Sequence, residues 1–94
     1  MPVVRSFKSK ALAELWEKSA TAKIDKRMHK RILLRLDALD AADRPEAMNM
    51  PGFDFHGLHG FDPKRYTVHV NGPWCITFSF EEGDAIAVDL EQYH

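Results

Sequence analysis

Tyr66, Val68 and Val70, then Trp74, Ile76, Phe78 and Phe80, then Ile86, Val88 and Leu90 place apolar side chains at every second position, with polar or small residues between them. A period of two puts such a set on one face of extended strands. The interruptions at Asn71–Pro73 and Glu81–Asp84 are long enough only for hairpins, so the C-terminal half has to be an antiparallel meander with one apolar face. A strict two-residue turn at Asn71-Gly72 would set Val68 opposite Cys75 and His69 opposite Trp74, mixing the faces. A three-residue loop, Asn71 to Pro73, pairs Val70 with Trp74, Val68 with Ile76 and Tyr66 with Phe78. This register is expected, because a slip of one residue would expose the whole apolar set. The opposite face then collects Thr67, His69, Cys75, Thr77, Ser79 and Asp89.

A sheet with one apolar face needs a second layer. The N-terminal half supplies it with a period of 3.6. Val3, Val4 and Phe7 suit a short first strand, and Ser9 can cap a helix carrying Leu12, Leu15 and Trp16 on one side. After a turn at Ser19 to Thr21, Asp25 opens a longer helix in which Met28, Ile32, Leu36 and Leu39 recur at helical spacing, with Leu33 widening the stripe. Its other side carries Arg27, Arg31 and Arg35 at successive i, i+4 positions, beside Lys23, Lys26 and Lys30. Pro45 is expected to end this helix. A loop from Arg44 to Asp54 leads to a short segment around Phe55 to Leu58. The fold class is therefore α+β: β-α-α, then a three- to four-stranded antiparallel sheet packed on two N-terminal helices, in a single domain over residues 1–94.

The net charge of -1 hides a polarity along the chain. Residues 1–44 hold 11 of the 13 Lys and Arg, against 6 acids; residues 45–94 hold only Lys64 and Arg65, against 8 acids. A basic N-terminal half suits a polyanion or an acidic partner, and equally suits solvated helix faces. One cysteine, Cys75, excludes an internal disulfide and points to a reducing compartment. Charges at Arg5, Lys8, Lys10 and Glu14 break the apolar run a signal peptide needs, and no stretch is apolar enough to cross a membrane. The expected location is cytoplasmic, without membrane attachment. The final strand runs directly into Tyr93-His94, two side chains able to move protons or stack on a base near neutral pH.

The order of elements, Leu39-Asp40 before the loop, Met50-Pro51-Gly52-Phe53, the stretch Phe55-His56-Gly57-Leu58-His59-Gly60, the run from Val70 to Phe78 and the terminal Tyr93-His94 together resemble the HigB toxins of bacterial type II toxin–antitoxin systems, in the RelE/ParE superfamily. The similarity spans nearly the whole chain. It implies a RelE/ParE-like fold and a ribosome-dependent endoribonuclease that cuts mRNA in the decoding site without a cofactor. It also implies a helix-turn-helix antitoxin, HigA, as neutralising partner, with operator DNA bound only through the antitoxin complex. Under the resemblance His56 takes the place of the family's loop histidine, and Tyr93 and His94 end its Asp-Tyr-His terminus. His59 stands where relatives have lysine or histidine, and Lys64 and Arg65 where basic residues flank the site. Two departures weaken the match at the chemistry: Cys75 replaces an arginine that holds the phosphate, and Gln92 replaces the aspartate. Loss of a charge-assisted phosphate contact predicts reduced activity unless Lys64 or Arg65 substitutes.

Metal-free RNA cleavage needs a base for the ribose 2′-OH, an acid for the leaving oxygen and cations around the phosphorane. His56, His59 and His94 can share the proton work, Tyr93 can stack or donate its hydroxyl, Lys64 and Arg65 can supply charge, and Arg27, Arg31 and Arg35 can grip ribosomal RNA through phosphates. Against this stand blander readings: loop histidines that only solvate, and an arginine stripe that is an ordinary helix face. His56-x-x-His59 with His94 also suggests zinc, but no carboxylate or cysteine has matching short spacing, and no metal site is expected. A Cys75, His69, Asp89 nucleophile constellation depends wholly on the inferred register. Two other functions stay open: a ParE-like toxin that binds a protein target such as DNA gyrase, and a weakened toxin serving mainly as antitoxin and operator-complex partner.

Overall fold

A computed structural model describes residues 3–92. Helix α1 spans Lys10–Lys18, and the hydroxyl of Ser9 accepts the Leu12 N–H at its start, 3.1 Å away. It ends where Ser19 turns left-handed at φ 61° and returns its N–H to the Leu15 carbonyl. Asp25 caps a single 3₁₀ turn, Lys26–Met28, which feeds α2, His29–Ala41. The long helix expected from Asp25 is thus two pieces. Nor does Pro45 end it: α2 stops at Ala41, Ala42 is extended, and Pro45 opens a second 3₁₀ turn, Pro45–Met48, behind the extended Arg44 that a following proline favours.

Strands β1 (His56–Leu58), β2 (Arg65–Asn71), β3 (Trp74–Glu81) and β4 (Asp84–Gln92) pair antiparallel in sequence order. Leu12, Leu15, Ile32, Leu36 and Leu39 from the helices close over Val68, Ile76, Phe78, Ala85 and Val88 from the sheet, all fully buried or nearly so. Phe55, Tyr66 and Phe78 stack in a row beneath them at 5.7 and 5.9 Å. The α+β architecture of two helices before an antiparallel sheet is as expected.

Two bulges alter the expected register. Tyr66 does face Phe78 and Val68 does face Ile76, but Asn71, not Val70, stands opposite Trp74. The turn is only Gly72-Pro73, with Gly72 at φ 55°, and Val70 is the extra residue. The bulge supplies the one-residue shift that lets a tight turn keep the apolar faces in phase. On β4, Thr77 faces Asp89 but Ser79 faces Ile86, and Ala87 adopts φ 52° between them. Parity therefore reverses at Ala87. Ala85 and Val88 enter the core, while Ile86, expected to share the face of Val88, lies with Ser79 on the other. The same kink limits the first strand. Val4 and Phe7 make only isolated parallel bridges to Ala85 and Val88, and Ser6 spans the bulge by accepting the Ala87 N–H on its hydroxyl and the Val88 N–H on its carbonyl.

Candidate active site

The face of the sheet turned from the helices is polar, as its alternation requires, yet Thr67, Cys75, Thr77 and Ser79 on it are buried. Cross-strand rows define the layout. His69, Cys75 and Glu91 form one row; His56, Thr67, Thr77 and Asp89 the next; Leu58, Arg65, Ser79 and Ile86 lie on the third side.

His56 is exposed at the start of β1, and its Nδ1 is 3.0 Å from the Asp54 carbonyl oxygen. It borders a cleft of about 130 Å³ shared with Thr67, His69, Pro73 and Cys75. His69 is turned toward its own hairpin, with Nε2 3.0 Å from the Gly72 carbonyl oxygen, and the Cys75 thiol donates to the Glu91 carbonyl at 3.5 Å. Neither geometry joins Cys75 to His69 as nucleophile and base. His59 is exposed on the loop after β1 and does not line the cleft. Tyr93 and His94 lie outside the described residues, one and two positions beyond Gln92, which faces Trp74.

The two basic residues expected beside the site part company. Lys64 lies 5.5 Å above the Tyr66 ring and against Gly57, in the row that faces the helices. Arg65 lies on the polar face. Its guanidinium sits over Phe61 and reaches diagonally from the Ser79 row to donate to Thr77 Oγ1 and, at 2.7 Å, to Glu91 Oε2. The Thr77 hydroxyl donates to the same carboxylate oxygen. That hydroxyl first, then the Arg65 guanidinium, and more remotely Lys8, hold the Glu91 carboxyl below its usual range, outweighing partial desolvation. Glu91, next to the departure at Gln92, therefore brings a carboxylate to this face, and Arg65 brings a cation within one row of Cys75. Thr77 was expected on this face but not as a partner of Arg65, and Glu91 and Lys8 were not expected here from sequence. Only the register, together with a 360 Å³ hollow that Lys8 lines with Phe61, Pro63 and Arg65, reveals them.

The arginine stripe of α2 is corrected by the structure at Arg35, which is 7% exposed rather than on a solvated face. Its Nε donates to the His69 carbonyl at 2.6 Å, its other nitrogens to the Arg31 and Gly52 carbonyls, and its guanidinium covers the Phe53 ring at 4.6 Å. Burial, and then the Arg31 charge, push its pKa down from the ordinary arginine value. It is a strut between α2, β2 and the loop leading to β1, with no surface to offer a phosphate. Arg31 is exposed and donates to the Val70 carbonyl at the bulge, and Arg27 is exposed and paired to Asp25 at 2.8 Å.

A family model described as the RelE-like toxin of type II toxin–antitoxin system HigB matches residues 5–94. The chain belongs to the HigB-like toxins. It is 35% identical to the Endoribonuclease HigB of Proteus vulgaris over 92 residues, 98% of this chain and 100% of that relative. Family membership makes it a toxin of a type II system. The polar face of this HigB-like toxin carries His56 on β1 and an arginine held between a carboxylate and a hydroxyl. Among the described residues no helix is long and apolar enough to cross a membrane.

Proposed function

We propose that this HigB-like toxin is an endoribonuclease that cuts mRNA on the translating ribosome, in the cytoplasm, and is neutralised by a HigA-like helix-turn-helix antitoxin through which alone it meets operator DNA. The observation that carries the reading is the polar face itself: an exposed histidine, His56, in one cross-strand row, and the Arg65 cation reaching into that row at Thr77. The near full-length relative named an endoribonuclease supports the reaction class.

In the reaction one imidazole takes the ribose 2′-OH proton, the 2′-oxygen attacks phosphorus, and the 5′-oxygen leaves with a proton from a second imidazole, yielding a 2′,3′-cyclic phosphate. His56 and His94 fill these two roles, and Tyr93 stacks on a neighbouring base or donates its hydroxyl. Arg65 neutralises the phosphorane, taking over from the arginine that Cys75 replaces. His59 flanks the bound strand, Lys64 lies on the helix-facing side of the sheet and does not, and the exposed Arg27 and Arg31 contact ribosomal phosphates. Arg35 takes no part in RNA binding.

Induced expression without antitoxin should arrest growth and produce transcript ends confined to translated regions, and co-expression of a HigA-like helix-turn-helix antitoxin should restore growth. Growth arrest with intact transcripts and altered DNA supercoiling would replace this reading with the gyrase-binding one.

A further inference from the structure

We infer that Arg65 and Thr77 form the seat for an RNA phosphodiester and that Glu91 is a built-in anion which the phosphate must displace, so that this carboxylate restrains the nuclease. The inference rests on the reading of Arg65 as the phosphate cation and adds to it the second donor and the competitor. Two donors converge on one oxygen: Arg65 Nη2 at 2.7 Å and the Thr77 hydroxyl both bond Glu91 Oε2. That is the donor arrangement a phosphate oxygen takes, and a carboxylate occupies it. The seat is prepared from below. Arg65 is only 16% exposed, is fixed over Phe61, and has no second acidic residue in ion-pair contact among the described residues. Its occupant is not comparably fixed, since the Glu91 side chain is 40% exposed on β4 and can rotate outward.

Position favours the phosphate of RNA over any small anion. The seat lies between the cleft beside His56 and the hollow lined by Lys8, Phe61 and Arg65, so a strand running from one to the other crosses it. Lys8 is exposed at the far end and would meet the next phosphate. While Glu91 holds the seat, it cancels the Arg65 charge and repels the incoming phosphate. An uncharged acceptor of the same shape would leave the donors in place and remove the repulsion.

The test is cleavage of mRNA on programmed ribosomes by the wild type, Glu91→Gln, Arg65→Ala, the double variant and Thr77→Val, with thermal melting of each. Glu91→Gln should raise kcat/KM by about three- to thirtyfold, chiefly through a lower KM, on the scale of one charge-assisted hydrogen bond. Its melting temperature should fall slightly, a combination that a purely structural role cannot give. Arg65→Ala should lose activity, and adding Glu91→Gln to it should restore little, because the cation released is gone. Thr77→Val, which leaves every charge in place, should lower kcat/KM through a higher KM. A folded Glu91→Gln that cuts no faster than wild type would overturn the inference and make Glu91 a positioning residue for Arg65. Should Arg65→Ala cut as well as wild type, the phosphate reading of Arg65 itself falls; should the wild type not cut at all, the nuclease reading falls and this inference with it.

Discussion

Arg35 Nε lies 2.6 Å from the carbonyl oxygen of His69. The bond joins the buried side of α2 to β2 at the residue before the bulge, and the same guanidinium holds the Gly52 carbonyl in the loop that leads to His56. Arg35 thereby fixes where β1 begins.

Arg35→Ala should be among the most damaging single changes in the chain. It removes three part-buried hydrogen bonds and the cover of Phe53, at a cost of about 3 kcal/mol, or on the order of 15 °C in Tm for a domain of this size. Arg35→Lys should recover only part of this, because an ammonium cannot reach in three directions from one plane. Differential scanning calorimetry of the two variants checks it, and a melt within 2–3 °C of wild type, roughly 0.5 kcal/mol, would contradict it.

The proton carriers should separate chemistry from stability. His56 is exposed, so His56→Ala should change stability by only about 0.5 kcal/mol while lowering cleavage by roughly a hundredfold to ten-thousandfold. His94→Ala and removal of Tyr93 and His94 should have the same effect on rate, with antitoxin binding retained. Cleavage assays beside melting and antitoxin pull-down distinguish the outcomes. Full toxicity of the folded truncation would show that the terminus is no part of the chemistry.

Acid should loosen the entry to α2. The Arg27 side chain, and then the Arg27 N–H, hold the Asp25 carboxyl down to about 2 from 3.8. A depressed carboxyl contributes its stabilisation fully above the unfolded pKa and loses it as pH falls toward the folded one, so this contribution should fade between about pH 4 and pH 2. Asp25→Asn keeps an acceptor for the Arg27 N–H but has no proton to bind. Its stability should therefore fall less steeply than that of wild type across that window in denaturant titrations. Identical slopes would remove Asp25 from the acid response.

Much of the fold was legible because strand parity is a strong constraint. Tyr66, Val68, Ile76 and Phe78 could bury together only in the observed register. The bulges were not legible, since neither Val70 nor Ala87 has the composition of an irregular site. A left-handed alanine is decided by the pairing of β3, β4 and Ser6, not by its own propensity. The arginine stripe misled for a geometric reason. Eight residues at 3.6 per turn leave Arg35 about 80° beyond Arg27 around the helix, and the intervening 3₁₀ turn shifts the phase further. For the site, His56 stood out by resemblance and Thr77 by parity, whereas Glu91 and Lys8 look like ordinary surface residues until the sheet and its hollows bring them to Arg65.

The most direct measurement is cleavage by the purified toxin of one radiolabelled mRNA, presented naked and on ribosomes halted with that message in the decoding site. The account predicts cuts within the ribosome-bound codons, ends carrying a 2′,3′-cyclic phosphate, and no cuts in the naked RNA. Equal cleavage of both forms would contradict the ribosome requirement, and intact RNA in both would contradict the nuclease itself.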